Sequence, residues 1–137
     1  MAAATYLKRS ACIVMSLQDL IWNRACLERG GATPHEGDRA LAALLLAHGL
    51  VMNGGVLHAL GCLSRQERID AIAGYRYFGL VAAADVLTKS YKQTGKAEEA
   101  SNSAYWHAVP DDDALADAFH TKLAASPGAF APTAVQA

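Results

Sequence analysis

Apolar residues recur along most of this chain at the three- and four-residue spacing of α-helices. From Ser10 to Arg29 they form one stripe, while the polar residues between them fall on other faces. The segment from Ala40 to Met52 is apolar on nearly every side, which is typical of a helix in the middle of a bundle. No segment alternates with the period of two that a half-buried β-strand requires. The sequence therefore predicts an all-α fold, a single-domain helical bundle of about five to seven helices around residues 41–51.

Three sets of capping residues mark the starts of helices. Thr33-Pro34-His35-Glu36 is typical of a capping box in which the threonine hydroxyl accepts a hydrogen bond from the Glu36 amide. Ser64-Arg65-Gln66-Glu67 is a second capping box. Pro110 and the three aspartates after it favour a third start, because carboxylates stabilise the unpaired amides at a helix N-terminus. Helices are therefore expected to begin at these three places.

Glycine-rich and polar segments mark where helices end. The Asn53-Gly54-Gly55 turn should end or sharply bend the central helix, since both residue types tolerate positive φ. The glycine-flanked aromatic stretch 74–79 is expected to break the next helix, and the polar residues 92–103 are expected to form a loop. These boundaries give a helical domain over residues 1–126 and a disordered tail over residues 127–137.

The composition excludes several classes of protein. With 137 residues, of which 53% are hydrophobic, the chain can form a core without a metal or a disulfide. Twelve lysines and arginines against thirteen aspartates and glutamates give a net charge of -1, which provides no overall field to attract nucleic acid or an anionic membrane. The most apolar segment is shorter than the roughly 20 residues that cross a bilayer. We therefore expect no direct nucleic-acid binding and no membrane span.

The cysteines and the N-terminal segment favour a cytoplasmic protein. Cys12, Cys26 and Cys62 are odd in number and stand in apolar helical patterns rather than in metal-ligand spacings. The N-terminal segment has no small-residue cleavage site after a sustained apolar run. We expect reduced and buried thiols, no bound metal and a cytoplasmic location.

The distribution of charge identifies a candidate binding surface. Residues 97–137 contain six acidic residues and one basic residue, Lys122, so this part of the chain has a net charge of -5. Four of the six acidic residues are the candidates for a partner-binding patch: Asp111, Asp112, Asp113 and Asp117. Consecutive aspartates are also typical of a solvated helix start, so both interpretations stay open.

The turn after the central helix is a second candidate site. His48 and His58 flank Asn53, Gly54 and Gly55, and these five residues are the candidates for a small-molecule or catalytic pocket in which the turn presents amides to an anion. The alternative is a structural turn that lets two helices cross closely. No aspartate or glutamate lies within one helical turn of His48 to orient it, and the glycines lack the lysine of a phosphate-binding loop. We expect no cofactor and favour a non-enzymatic role.

One part of the sequence resembles a known family. The stretch from Val51 to Leu60, followed by a helix and then by Tyr75 to Leu87 with Gly79 inside, resembles a bacterial family of helical domains of unknown function related to a DNA-mimic protein. The resemblance covers residues 41–91 and implies an all-helical fold, no enzymatic activity and, as in the DNA mimic, binding to a DNA-binding protein through acidic side chains that replace phosphates. This chain departs from the pattern at Val56, where an aromatic residue is common, and it lacks the strong overall acidity of a DNA mimic. The partner expected from the resemblance is a protein, and the apolar excess is also compatible with a homodimer.

Overall fold

The computed structural model describes residues 15–133 and shows a bundle of helices. Over this range the chain forms seven α-helices, one short 3₁₀ turn and no strand. In chain order the elements are α1 (Leu17–Glu28), α2 (Glu36–Gly54), α3 (Val56–Cys62), α4 (Arg65–Tyr77), α5 (Val81–Thr88), α6 (Gly95–Ala108), α7 (Asp112–Ala125) and the 3₁₀ turn Pro127–Ala129. The prediction of an all-α bundle is confirmed. The first part of the helix predicted from Ser10, together with Cys12, lies outside the described residues.

Helix α2 forms the centre of the bundle. It packs against α1, α3 and α4, and its side chains Leu41, Leu44 and Val51 are almost completely buried. The opposite face is open, because Leu46 is 45% exposed and Met52 is 56% exposed. Helix α2 thus lies in the middle of the bundle as predicted, but its apolar residues cover a core on one side and remain at the surface on the other. Neither α2 nor any other described helix combines the length and hydropathy needed to span a bilayer.

Helices α2 and α4 cross very closely at Gly74. A Cβ atom at this position would lie 2.5 Å from the carbonyl oxygen of Ala40 on α2, so the crossing requires glycine. Gly74 is therefore inside α4, and the prediction of a break over residues 74–79 is wrong at its start. The helix ends at Tyr77, and Gly79, with a φ of 78°, makes the turn into α5.

Two of the three predicted helix starts are confirmed. The Ser64 hydroxyl accepts a hydrogen bond from the Glu67 amide at 3.1 Å, and the Glu67 carboxylate accepts one from the Ser64 amide at 2.9 Å. The hydrogen bond from the Ser64 amide, followed by the influence of the Ser64 hydroxyl, holds the pKa of the Glu67 carboxyl below its ordinary value. Asp111 caps α7 by accepting a hydrogen bond from the Ala114 amide at 3.0 Å.

Helix α2 starts later than the predicted capping box at Thr33. Its N-cap is His35, whose amide donates to the Asp38 carboxylate at 2.9 Å. The buried Asp38 carboxylate also accepts hydrogen bonds from Arg24 and Ala131, so it fixes the position of the first turn. The prediction that Thr33 caps this helix is wrong, because Asp38 stabilises a different start.

The expectation of a loop over residues 92–103 is also wrong, because most of them belong to α6. The Thr94 hydroxyl caps this helix by accepting a hydrogen bond from the Ala97 amide at 3.1 Å. Its fully buried residues are Ser101 and Tyr105, and the polar majority faces solvent. The apolar stripe is too narrow to be recognised from the sequence.

Residues 126–133 form a C-terminal strap that contacts α1, α2 and α7. Phe130 of the strap is buried against the rings of Phe78 and Phe119. Gly37 of α2 leaves room for this ring, since a Cβ atom there would lie 2.7 Å from it. The strap therefore packs against the bundle through Phe130.

A buried ion pair holds the strap in place. The Nη2 atom of Arg24 lies 2.7 Å from Asp38 Oδ1 and 2.9 Å from the carbonyl oxygen of Ala131. Arg24 also donates to the carbonyl oxygen of Pro132 at 3.0 Å, and the Ala131 amide donates to Asp38 Oδ2 at 2.7 Å. These four residues are called the Arg24–Asp38 clamp below.

Candidate functional site

Four exposed aspartates at the start of α7 form the acidic surface: Asp111, Asp112, Asp113 and Asp117. They are the residues selected from the sequence. Asp111 is the N-cap, and the other three lie in the first two turns of the helix. Carboxylates are favourable here, because the unpaired amides at a helix N-terminus carry partial positive charge.

The four carboxylates differ in what holds them. The Asp111 carboxylate accepts a hydrogen bond from its own helix, and the Asp112 carboxylate contacts His48. The side chains of Asp113 and Asp117 form no hydrogen bond or ion pair with residues of the described range. Because they are four residues apart, they lie on one face of α7. These two carboxylates are available to a partner without any rearrangement.

A buried series of hydrogen bonds connects the acidic surface with the interior of the bundle. The Nε2 atom of His48 lies 2.8 Å from Asp112 Oδ1, and its Nδ1 atom lies 2.7 Å from the Tyr105 hydroxyl. The Tyr105 hydroxyl in turn lies 2.6 Å from that of Tyr75. The His48 side chain is 6% exposed, whereas that of Asp112 is 68% exposed. These four residues, called the His48 relay below, extend from solvent into the core.

The donors and acceptors of the His48 relay match when the imidazole is neutral. Nε2–H of His48 then donates to Asp112, Nδ1 accepts from the Tyr105 hydroxyl, and the Tyr105 oxygen accepts from Tyr75. Each buried polar atom of the relay has a partner in this arrangement, as buried polar groups generally do. The partners therefore select the tautomer with its proton on Nε2.

Alkaline pH is expected to destabilise the fold through the two buried tyrosines. Burial raises the pKa of Tyr75 above its ordinary value, and burial followed by the influence of Tyr75 raises that of Tyr105. Tyrosines of the unfolded chain ionise near pH 10, so the unfolded state loses these protons first. The stability that these hydroxyls contribute is fully present below about pH 10 and should decrease as the pH rises further.

This prediction is checked by following phenolate absorbance and helical circular dichroism in one alkaline titration. We expect the absorbance of Tyr75 and Tyr105 to appear only as the helical signal is lost. Ionisation of all five tyrosines in a chain with native circular dichroism would contradict it.

Sequence reasoning selected His48 but did not connect it with the residues that hold it. Tyr105 and Asp112 lie 57 and 64 residues further along the chain, so no local spacing rule brings them to the imidazole. Asp112 was selected only for its charge. The usable signal was a histidine inside an apolar helix, because a buried imidazole needs polar partners.

The residues of the Asn53-Gly54-Gly55 turn have a structural explanation. Gly55 has a φ of 92°, which other residue types rarely adopt, and it joins α2 directly to α3. The first amide of α3, that of Val56, donates to the Asn102 side chain at 2.8 Å. This amide is therefore occupied by a residue of α6 rather than open to an anion.

His58 does not join His48 at the turn. It is exposed, and its ring lies so close to Gly54 that a Cβ atom there would be 2.5 Å away. Its other contact is with Cys62, whose sulfur lies 3.7 Å from Nε2. Cys62 and Cys26 are both exposed, so the prediction of buried thiols is wrong for these two residues. His48 instead points into the His48 relay, so the structure places the two histidines in separate environments.

Two depressions on the described surface are not at the turn. One is a groove of about 510 Å³ between α1, α2 and α4, lined mainly by alanine and leucine together with Arg29, Glu67 and Asp70. The other is a shallow depression between α5 and α6, lined in part by Trp106. None of the five turn candidates lines either depression. The geometry thus gives no support to a small-molecule or catalytic pocket at the turn.

Two further acidic residues stand apart from the acidic surface. Glu98 and Glu99 lie near the start of α6, whereas Asp111 follows the end of that helix. A helix of 14 residues is about 21 Å long at 1.5 Å per residue. The acidic charge of this part of the chain is therefore divided between the two ends of α6.

Comparison with known proteins gives a match over most of the chain. A family model described as DMP19-like protein matches residues 32–131, which contain both the His48 relay and the acidic surface. No match is found among curated proteins or among solved structures. The matched range includes residues 41–91, the part that shows the family resemblance.

Proposed function

This chain belongs to the DMP19-like protein family, and from that premise we propose that it is a non-enzymatic module that binds a DNA-binding protein through its acidic surface. The family is one of DNA mimics. A protein mimic of this kind competes with nucleic acid for the lysines and arginines that contact phosphates. We propose the cytoplasm as the place where it meets its partner.

The local density of charge supports this proposal. Residues 111–117 span about 9 Å of helix axis at 1.5 Å per residue. The four carboxylates on this segment correspond to about one charge per 2–3 Å, close to the one charge per roughly 1.7 Å of duplex DNA. The acidic surface is therefore locally similar to a short piece of phosphate backbone, although the whole chain has a net charge of -1.

The observation that carries the proposal is the pair of unengaged carboxylates, Asp113 and Asp117. No lysine or arginine of the described residues neutralises them. Lys122, the lysine or arginine closest to them in sequence, lies over the ring of Tyr77 instead, 4.3 Å from its centroid. Both carboxylates thus keep their charge for hydrogen bonds with the cations of a partner.

Reversing the charge of these two residues is expected to weaken the complex. The double substitution Asp113→Lys, Asp117→Lys should lower the affinity at least about tenfold, or about 1.4 kcal/mol, and flatten its dependence on salt, since fewer charge contacts form. The partner is first recovered from a lysate of the source organism by pull-down with low-salt and high-salt washes. Affinities of the recovered pair are then measured at two ionic strengths.

The matched control is the double substitution Glu98→Lys, Glu99→Lys, which changes the net charge equally at the other end of α6. It should leave the affinity nearly unchanged. Asp111 is kept in both variants, because it caps α7. An unchanged affinity and salt dependence in the Asp113→Lys, Asp117→Lys variant would refute the proposal.

A further inference from the structure

We infer that His48 is the positioning residue of the acidic surface: its buried ring fixes Asp112 in place, and its protonation removes one negative charge from what the surface presents to a cationic partner. This inference rests on the proposed function. It states that binding of the partner depends on pH and that His48 is the residue responsible.

Asp112 is the one aspartate of the acidic surface with an anchor in another helix. Asp111 is bound within α7, and Asp113 and Asp117 have no anchor in the described structure. The bond from His48 therefore determines where one of the four charges stands relative to α2. An exposed carboxylate without such a bond is distributed over several rotamers.

The groups around His48 decide what its protonation does. Asp112 faces Nε2 from α7, Tyr105 faces Nδ1 from α6, and Tyr75 of α4 lies behind Tyr105. The Trp106 ring stands edge-on to the imidazole, with centroids 6.2 Å apart. Asp112 is the carboxylate that contacts the ring in the described structure, so the charge of an added proton would be compensated by Asp112.

Protonation would also reverse the His48 relay. Nδ1 would become a donor to the Tyr105 oxygen, so the Tyr105 hydroxyl would have to donate to Tyr75. The Tyr75 hydroxyl would then have no acceptor among the described residues, which is costly for a buried group. With a neutral ring, every buried polar atom of the His48 relay has a partner and the negative charge of Asp112 is not compensated. With a protonated ring, the charge of Asp112 is compensated and the Tyr75 hydroxyl has no acceptor.

The acidic surface therefore presents its full charge only while His48 is neutral. Histidine is the side chain whose charge changes between about pH 5 and 8. Affinity for a cationic partner should decrease as the pH falls through this range. This loss of affinity should be greater in the wild-type chain than in a variant whose residue 48 cannot be protonated.

Trp106 provides a direct readout of His48. The chain has two tryptophans, so Trp22→Phe leaves Trp106 as the single emitter. We expect its fluorescence to change between pH 8 and 5 in this background, and we expect the change to disappear with His48→Gln. The matched control is His107→Gln, which removes an exposed neighbouring histidine and should leave the change in place.

The binding test uses an oligolysine peptide, whose charge is constant between pH 5.5 and 8. The wild-type chain should lose roughly fivefold more affinity than His48→Gln over this range, the effect of one unit charge about 4 Å away in water. His48→Gln keeps one amide donor and one amide acceptor for Asp112 and Tyr105. Asp112→Asn should remove the same pH dependence. Because the Asp112 side chain is exposed, this variant tests the inference even if His48→Gln, at a buried position, does not fold.

Two outcomes separate this inference from the proposed function. Parallel pH profiles of the wild type, His48→Gln and Asp112→Asn would overturn the role of His48, even if Asp113→Lys, Asp117→Lys weakens oligolysine binding. Unchanged oligolysine binding in Asp113→Lys, Asp117→Lys would instead count against the acidic surface itself. A fluorescence change that survives His48→Gln but not His107→Gln would assign the titration to the wrong histidine and likewise overturn the inference.

Discussion

Asp38→Asn is expected to lower the free energy of unfolding by about 3–5 kcal/mol, the range found when one partner of a buried ion pair is removed. Asp38 Oδ1 accepts from Arg24, and Oδ2 accepts from the amides of His35 and Ala131. An amide in this place must turn its NH₂ group toward either the guanidinium or the two backbone N–H groups. One side therefore loses its acceptor in both orientations. Urea unfolding followed by circular dichroism measures the change.

Asp85→Asn is the matched control for this prediction. Asp85 lies 3.9 Å from Arg76, and both side chains are more than half exposed. Removing an exposed charge of this kind should change the free energy of unfolding by less than about 1 kcal/mol. Equal losses in the two variants would mean that the Arg24–Asp38 clamp contributes no more than a surface ion pair.

Gly74→Ala should lower the free energy of unfolding by about 2–3 kcal/mol, although alanine is the better helix former by about 1 kcal/mol. The added methyl group would lie 2.5 Å from the carbonyl oxygen of Ala40. That oxygen belongs to the backbone and cannot rotate away, so α2 and α4 must separate. These two helices form the most extensive packing in the described structure, so separation weakens the centre of the core.

Gly49→Ala is the control for the effect of helix propensity. Gly49 lies inside α2, and a Cβ atom there would meet no atom within 4 Å. This substitution should raise the free energy of unfolding by about 0.5–1 kcal/mol. If Gly74→Ala also stabilises the protein in the same urea measurement, the close crossing is not what requires glycine.

The parts of the fold that depend on neighbouring residues were predictable. The caps at Ser64 and Asp111 and the turn at Gly55 follow from side chains within a few positions of the helix end. Helix α6 was missed because little of it is buried, so that its polar sequence hides the stripe that packs. The end of α4 was misplaced because Gly74 serves a helix crossing rather than a turn.

The features that depend on distant residues were not predictable in the same way. The prediction of a cap at Thr33 was wrong because Asp38 is fixed by Arg24 and by Ala131 of the strap, which lies 93 positions away. The aspartates of the acidic surface could be selected by charge. The anchoring of one of them by His48 could not, because the partners of a buried imidazole are chosen by tertiary packing rather than by spacing.

During synthesis on the ribosome, Arg24 and Asp38 emerge long before the strap that completes their bonding. The Ala131 amide lies 93 residues beyond Asp38, which corresponds to about 5–20 s of translation at roughly 5–20 residues per second. Throughout that time the charge pair lacks its full set of partners, and the aromatic rings beneath Phe130 stay uncovered. A chain that stops early keeps the exposed apolar surface by which chaperones and proteases select incomplete proteins. Closure of the strap thus requires that translation has passed Ala131, and the core around Phe130 stays incomplete until then.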